Sequence, residues 1–507
     1  MKQKLLLIFF LFAAAVCLLL IPKAYAVDLF DGKVVIHGKI SEQLLMRARG
    51  NIHDELHSYD FYNARSTLKL ETMWHAYEGP EYMLNIYGVW KNFYDIAHEF
   101  DSGYKNYLRD FSGDSSHGIE ELKSYETFRD ICRELFVELT HNLYQVRIGK
   151  QIVSWGDLGF ERMADIVNPI DHRGNLNMAY PDFAEIKRGL WMLRLYYTPE
   201  GLPMDMNFEF LVIPDFQPTR NWPAGYHLTH PPSLNAMQNP NEQFLSSYRD
   251  KPTSWSQPEF GFRVRGYLAG FDWTLQYLHH RNDDPIIRPG RIMAATLPAL
   301  LGWGRAEDVN HFYWLNSFGF TFNKPVDTPI PVIPGTTCKM SGSVLSMEAI
   351  YDLNKDCTAV DGAKNMVKEY DRMAVALQWK TKIFLPYITP MFRNEYLNSE
   401  TSIFMEWLED KHNNYYIYPY VSYRQKGHHW SMTTQMFNME LTRGNMMFIP
   451  AIYAAYYNTQ GGGYYAPALA FKPTFGWTFI FRYFNYFDLQ HGVNDKDYFT
   501  FEITYEF

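Results

Sequence analysis

The end of the chain alternates between polar and apolar side chains. In residues 496–507 the odd positions carry Phe499, Phe501, Ile503, Tyr505 and Phe507, and the even positions from 500 onward carry Thr500, Glu502, Thr504 and Glu506. A period of two places alternate side chains on opposite faces of a β-strand. The pattern therefore predicts a strand with one apolar face and one polar face, ending on an aromatic residue.

The same alternation recurs earlier in the chain. Leu135, Val137 and Leu139 alternate with Glu134 and Glu138. A charge that faces lipid at the membrane midplane costs about 2 to 4 kcal/mol, so we expect such charges to line an interior. A soluble β-sandwich with one solvated face alternates in the same way and is the alternative.

The chain after residue 26 has no apolar run that reaches the roughly 18 to 20 residues of a membrane-spanning helix; the nearest is residues 292–303. Residues 1–26 have the features of a secretory signal: Lys2 and Lys4, an apolar run at 5–20 and a small-residue site at Ala24-Tyr25-Ala26. We predict cleavage after Ala26 and a mature protein of residues 27–507. An uncleaved amino-terminal anchor is the alternative. Without spanning helices, only a closed barrel satisfies its own backbone inside a membrane.

Composition favours the barrel. The chain has 37 Tyr, 37 Phe and 13 Trp at a mean hydropathy of −0.31, as expected for aromatic girdles around a polar lumen. The net charge of −9 argues against a nucleic-acid partner. Short turns and long polar stretches alternate between the strands. We therefore predict an all-β fold, a transmembrane antiparallel β-barrel of about 18 strands, with 16 as the alternative because residues 383–429 are ambiguous.

One long stretch stands out because it does not alternate. Residues 143–174 read LYQVRIGKQIVSWGDLGFERMADIVNPIDHRG, a strand followed by a charged loop. Long loops on a barrel fold inward or form a lid. Together with two arginines of a later strand, it supplies the candidate pore or constriction residues: Arg147, Lys150, Gln151, Trp155, Asp157, Glu161, Arg162, Asn168, Asp171, Arg173, Arg263 and Arg265. The alternative is that the ion pairs of the loop only hold it against the barrel wall.

This stretch resembles proteobacterial outer-membrane proteins known as domain of unknown function 1302. The likeness rests on Gly149-Lys150-Gln151, Trp155-Gly156 and Asn168-Pro169-Ile170-Asp171, and extends to EFGFRVRGYLAGFDWTLQYLHHRNDDP. Family members more often carry Arg at the position of Lys150 and a hydroxyl or Glu near Asp157. The resemblance implies fold and location but no activity, since the family has none settled. The Gly-basic-Gln pattern is also similar to alginate-export barrels.

Other chemistry has little support. His279-His280 and His428-His429 have metal-like composition, but adjacent strand residues point to opposite faces, so we expect no metal. The sequence has no CxxCH, GxSxG, HExxH or P-loop, and we expect no cofactor and no enzyme activity. Cys338 and Cys357 flank a predicted strand and are expected to be free thiols.

The sequence thus predicts a porin-like channel for small solutes in the outer membrane of a Gram-negative bacterium, surrounded by lipid and lipopolysaccharide. Phe507 at the end of the last strand resembles the signal for the outer-membrane assembly machinery. The alternative is a conduit or export component for polymer, lipid or electrons that works with a periplasmic partner. The turn near residues 324–342 would be its docking surface.

Overall fold

The structure, a computed structural model, describes most of the chain after residue 26. The described ranges are 27–48, 61–97, 123–125, 127–158, 163–174, 183–220, 257–283, 286–287, 310–326, 330–331, 339–361, 364–385, 396–409, 416–418, 429–458, 461–473, 476–488 and 497–507. The predicted signal, residues 1–26, lies outside them, as do Cys338 and most of the predicted docking turn.

Eighteen long strands form one sheet. They are β1 (Val34–Arg47), β2 (Phe61–Glu78), β3 (Tyr82–Asp95), β4 (Cys132–His141), β5 (Tyr144–Gln151), β6 (Leu190–Tyr197), β7 (Asn207–Ile213), β8 (Glu259–Leu268), β9 (Phe271–Arg281), β10 (Trp314–Val326), β11 (Lys339–Asp361), β12 (Lys364–Phe384), β13 (Tyr396–Glu409), β14 (His429–Met439), β15 (Met446–Tyr457), β16 (Gly462–Lys472), β17 (Trp477–Phe487) and β18 (Tyr498–Glu506).

Shorter elements decorate this sheet. Short strands lie at Val27–Leu29, Ile286–Ile287, Asn310–His311, Ile330–Pro331, Tyr416–Tyr418 and Leu441–Arg443. One-turn helices lie at Phe128–Ile131 (α1) and Phe183–Ile186 (α2), and 3-10 turns at His172–Gly174 and Pro203–Asp205. Among the described residues, no helix has the length and apolar character needed to cross a membrane.

The sheet closes on itself. Each long strand pairs antiparallel with the next, and β18 pairs with β1 from Lys39 opposite Glu506 to Arg47 opposite Tyr498. The predicted barrel and its eighteen strands are therefore confirmed. Residues 383–429, ambiguous in sequence, contribute β13.

Alternation decides which face of each strand points outward. Leu469, Phe481 and Phe501 are exposed on the outer surface, while the neighbouring Thr500 and Thr504 are buried inside. Aromatic rings stack across neighbouring strands on the outer face, with centroids 4.8 to 6.5 Å apart, in the row Tyr144, Tyr197, Phe208 and Phe262. Such rows match the girdles of a membrane barrel.

The two ends of the barrel differ in their connections. Short turns at Glu78 to Glu81, Asn142-Leu143 and Ala269-Gly270 join β2 to β3, β4 to β5 and β8 to β9. Far longer segments join the same strands at the other end, including residues 152–189 between β5 and β6. This asymmetry is the one that the sequence predicts, and it places the long connections together.

Candidate functional site

Residues 152–189, called here the inward loop, leave β5 and fold back into the barrel. Asn168 fixes its course: its side-chain oxygen accepts from the Val153 N–H at 2.7 Å, and its amide donates to the carbonyls of Gln151 at 3.1 Å and Arg188 at 2.8 Å. Asn168 is fully buried. One side chain thus joins the two ends of the loop to its middle.

Trp155 packs the loop against the inner wall. Its backbone N–H donates to the Asp165 carboxylate at 3.1 Å, and its indole ring is buried among Val167, Leu211 and Leu278. Gly261 of β8 makes this approach feasible, because a β-carbon there would lie 2.5 Å from Cη2 of the indole. The first half of the loop therefore rests on the wall formed by β6 to β9.

Glu348 of β11 holds the tip of the loop. Its carboxylate accepts the backbone N–H groups of Asp157, Leu158 at 2.8 Å and Ala164 at 3.0 Å. The side chain of Asp157 accepts from Asn323 of β10 at 2.7 Å. Three backbone N–H groups thus converge on one buried side chain. The tip is therefore attached to the wall far from β5.

Glu185 in α2 attaches the other end of the loop to β2 and β3. Its carboxylate lies 2.8 Å from Lys69 Nζ and 2.7 Å from Lys91 Nζ. Burial alone would raise the pKa of Glu185, but Lys91 and Lys69 hold it well below its usual range. The carboxylate stays charged and bridges the two cations.

These two attachments show that the loop crosses the lumen. In the closed order of eighteen strands, β2 and β11 are nine strands apart, which is half the circumference. An eighteen-stranded barrel is roughly 35 Å across at the usual strand spacing and tilt. The inward loop thus contacts opposite walls of the barrel and narrows its interior.

A group of arginines surrounds two buried carboxylates at the loop end of the barrel. Asp171 accepts from Arg173 Nη2 at 2.6 Å, and Asp130 of α1 accepts from Arg220 at 3.0 Å and Arg188 at 3.3 Å. Burial works against the charged form of Asp171, yet Arg173 holds the pKa of that carboxyl well below its usual range. This network joins the inward loop to the segment that follows β7.

Other sequence-predicted site residues lie on the wall beneath the loop. Arg147 pairs with Glu138 at 2.6 Å, and Arg263 pairs with Glu209 at 2.5 Å while donating to the Ser154 carbonyl at 3.2 Å. Arg265 lies two residues after Arg263 on the same inward-facing side of β8, and its side chain is exposed.

Lys150 and Gln151 bond to the barrel framework. Lys150 is in register with Leu135 and Trp191, whose row faces outward, and its amine donates to the carbonyls of Arg129 and Cys132, the latter at 2.6 Å. The Gln151 amide donates to the Met192 carbonyl at 3.2 Å. Glu161 and Arg162 lie outside the described residues.

Sequence reasoning missed the residues that hold the loop from the other side. Glu348, Glu185 and Gly261 were not among the candidates, although Glu348 is a charge within an otherwise uncharged stretch of strand, SVLSMEAIY. The isolated charge indicates that Glu348 faces the lumen. It does not indicate the partner of Glu348, the backbone of the inward loop, which lies about 190 positions earlier in the chain.

The paired histidines of β9 have separate roles. His280 faces inward and bonds Ser317 Oγ at 3.1 Å, while His279 stacks between Phe260 and Trp314 with centroids 5.5 and 4.7 Å away. Within the part of the chain that the structure describes, no three His, Cys, Asp or Glu residues are grouped as metal ligands.

Comparison with solved structures returns outer-membrane barrels. OmpF of Salmonella typhi, in complex with daunomycin, matches at 9% identity over 95% of this chain and 100% of its own, with a TM-score of 0.40. OpdK of Pseudomonas aeruginosa, with vanillate, matches at 7% identity over 94% and 98%, with a TM-score of 0.46. OccAB3 of Acinetobacter baumannii matches at 8% identity over 94% and 99%, with a TM-score of 0.46. Likenesses at this level carry no information about solute.

Comparison of sequences is more specific about ancestry. No curated protein matches the chain. The model of one family, described as a protein of unknown function (DUF1302), matches residues 7–389, about three quarters of the sequence, and so confirms the resemblance carried by the segments around Lys150 and Asn168. The chain belongs to the DUF1302 family.

Proposed function

We propose that the protein is an outer-membrane channel in which small solutes pass beside an inward loop that narrows the lumen. The observation that carries the proposal is the attachment of this loop to opposite walls, through Glu185 on β2 and β3 and through Glu348 on β11. A loop that only covered the barrel mouth would not need partners on both walls. A segment held across the interior sets the width of the path.

The chemistry of the barrel surface supports a membrane setting. Apolar residues such as Ile452, Leu469 and Phe481 are exposed on the outer face, where water would make them costly. The inner wall carries both signs of charge, as in the pairs of Arg147 with Glu138 and Arg263 with Glu209. Mixed charge favours passage of polar solutes without strong preference for cations or anions.

Swelling of proteoliposomes in neutral sugars of increasing size tests the proposal. We expect rapid swelling in a pentose and slow swelling in a trisaccharide, because the loop leaves only part of the roughly 35 Å lumen open. Liposomes with heat-denatured protein are the control. Swelling that equals this control for every sugar would contradict a channel and favour a conduit that needs a partner.

A further inference from the structure

One part of the inner wall carries small apolar side chains beside an open recess. On β15, β16 and β17 the lumen-facing positions carry Ile449, Ala451, Ala468, Ala470 and Ile480. Their sequence neighbours Ile452, Leu469 and Phe481 are exposed on the outer face, which confirms the orientation. At these positions β15, β16 and β17 are apolar on both faces, although Lys472, Thr478 and Arg482 also face inward on β16 and β17. We call the inner set the apolar stripe.

The stripe continues into a region that the inward loop already covers. Farther along the same strands, Ala455, Ala466 and Phe484 are buried in one packed cluster with Leu158 and Met163 of the loop. The loop therefore packs apolar side chains against this wall, while Glu185 pairs with β2 and β3 and backbone N–H groups donate to Glu348 of β11. The stripe lies next to this packed contact, on the same strands.

An open recess of about 310 Å³ lies over the stripe. This volume falls at the lower limit of small-molecule sites. Alanine side chains leave this room, and the closed wall separates the recess from lipid. Tyr453, Thr478 and Thr504 also line it, and charged groups of both signs border it: Lys39, Lys472, Arg482, Glu502 and Glu506. An apolar floor with a charged border fits a solute that has an apolar body and a polar or charged end.

We propose that the apolar stripe is a binding track for amphipathic small molecules, such as aromatic or short aliphatic acids, on their way through the barrel. The proposal rests on the proposed channel function and adds the class of solute. Burial of an apolar body in the recess is favourable because it removes apolar surface from water. A sugar of similar size gains nothing comparable from the same wall.

Current blockade in planar bilayers tests this inference. Naphthalene-1-sulfonate and glucose 6-sulfate each carry a permanent negative charge, so they differ mainly in the apolar character of the body. We expect the aromatic anion to interrupt the current with dwell times at least tenfold longer. In the triple variant Ala451→Ser, Ala468→Ser, Ala470→Ser the difference disappears, while in the control variant Ile449→Val, Ile480→Val, which keeps the wall apolar and does not fill the recess, it remains.

Calorimetry on the protein in lipid nanodiscs gives a readout that does not depend on conduction. Naphthalene-1-sulfonate should bind the original protein but not the serine variant, after subtraction of empty nanodiscs. Equal dwell times for both anions in a conducting channel would overturn the track and leave the channel standing. A barrel that neither conducts nor releases heat would overturn both, whereas heat without conduction would support the site and contradict the channel.

Discussion

Replacement of Glu348 by Ala should free the tip of the inward loop. The Glu348 side chain accepts from three backbone N–H groups, those of Asp157, Leu158 and Ala164. The variant therefore removes three hydrogen bonds in one step. The strand β11 itself keeps its backbone pairing with β10 and β12.

The size of the effect follows from these contacts. A hydrogen bond contributes about 0.5 to 1.5 kcal/mol net of its exchange with water. For three bonds we expect a loss of about 3 kcal/mol in the free energy that holds the tip. At 1.4 kcal/mol for each factor of ten, the opening equilibrium rises roughly 100-fold.

Hydrogen exchange measures this equilibrium at the amides concerned. Protection at Asp157, Leu158 and Ala164 should fall about 100-fold in Glu348→Ala, while protection in β10 and β12 stays unchanged. Glu400→Ala is the matched control, because Glu400 is also a lumen-facing carboxylate but accepts from Gln378 of the wall at 2.8 Å. Unchanged protection in Glu348→Ala, or an equal loss in Glu400→Ala, would refute the reasoning.

Other contacts of the loop give further expectations. Glu185→Gln should destabilise the docked loop by about 2 kcal/mol. This is less than the loss of a fully buried ion pair would cost, because the Glu185 side chain is 24% exposed. The backbone amides of the loop should lose exchange protection at every pH. In the unaltered protein the pKa of Glu185 is lowered, so the stability that its ion pairs give to the docked loop is complete above the ordinary Glu pKa of about 4.3 and is lost only as the pH falls below that value. The exchange protection of the loop amides should therefore be equal at pH 7 and pH 5. A loss of protection at pH 5 would contradict the pairing with Lys69. Asn168→Ala should cost about 2 to 3 kcal/mol of the same docking free energy, since three buried backbone groups lose their partner, whereas Asn168→Asp should recover the bond to Val153 alone. Gly261→Ala should displace Trp155 and lower the exchange protection of its backbone amide, which donates to Asp165, and unchanged protection would show that the indole does not press against β8.

Strand alternation accounts for what the sequence predicts well. The period-two pattern of β18 and β4 gives inside and outside directly, because lipid tolerates few charges, and the short turns give the antiparallel order. The loop between β5 and β6 was recognisable because alternation stops there. The contact of this loop with β11 could not be predicted. Alternation tells whether a residue points into the lumen or into lipid, but it does not tell which distant segment of the chain that residue contacts in the closed barrel.

The apolar stripe was hidden for a related reason. In β15 and β16 alanines face inward and larger apolar residues face outward. Apolar residues such as Ala468 and Leu469 therefore follow one another, and no polar residue alternates with them. A strand that is apolar on both faces shows no alternation to detect. Gly261 is missed in the same way, since only the position of Trp155 shows why a side chain is excluded there.

Single-channel conductance tests most directly whether the inward loop narrows the channel. The comparison is between the full protein and a variant that lacks residues 157–173, each shown to be folded by the change of its gel mobility on heating. We expect stable conducting steps in the full protein and steps at least twofold larger in the variant. Equal conductance of two folded barrels would contradict a loop that sets the width of the path.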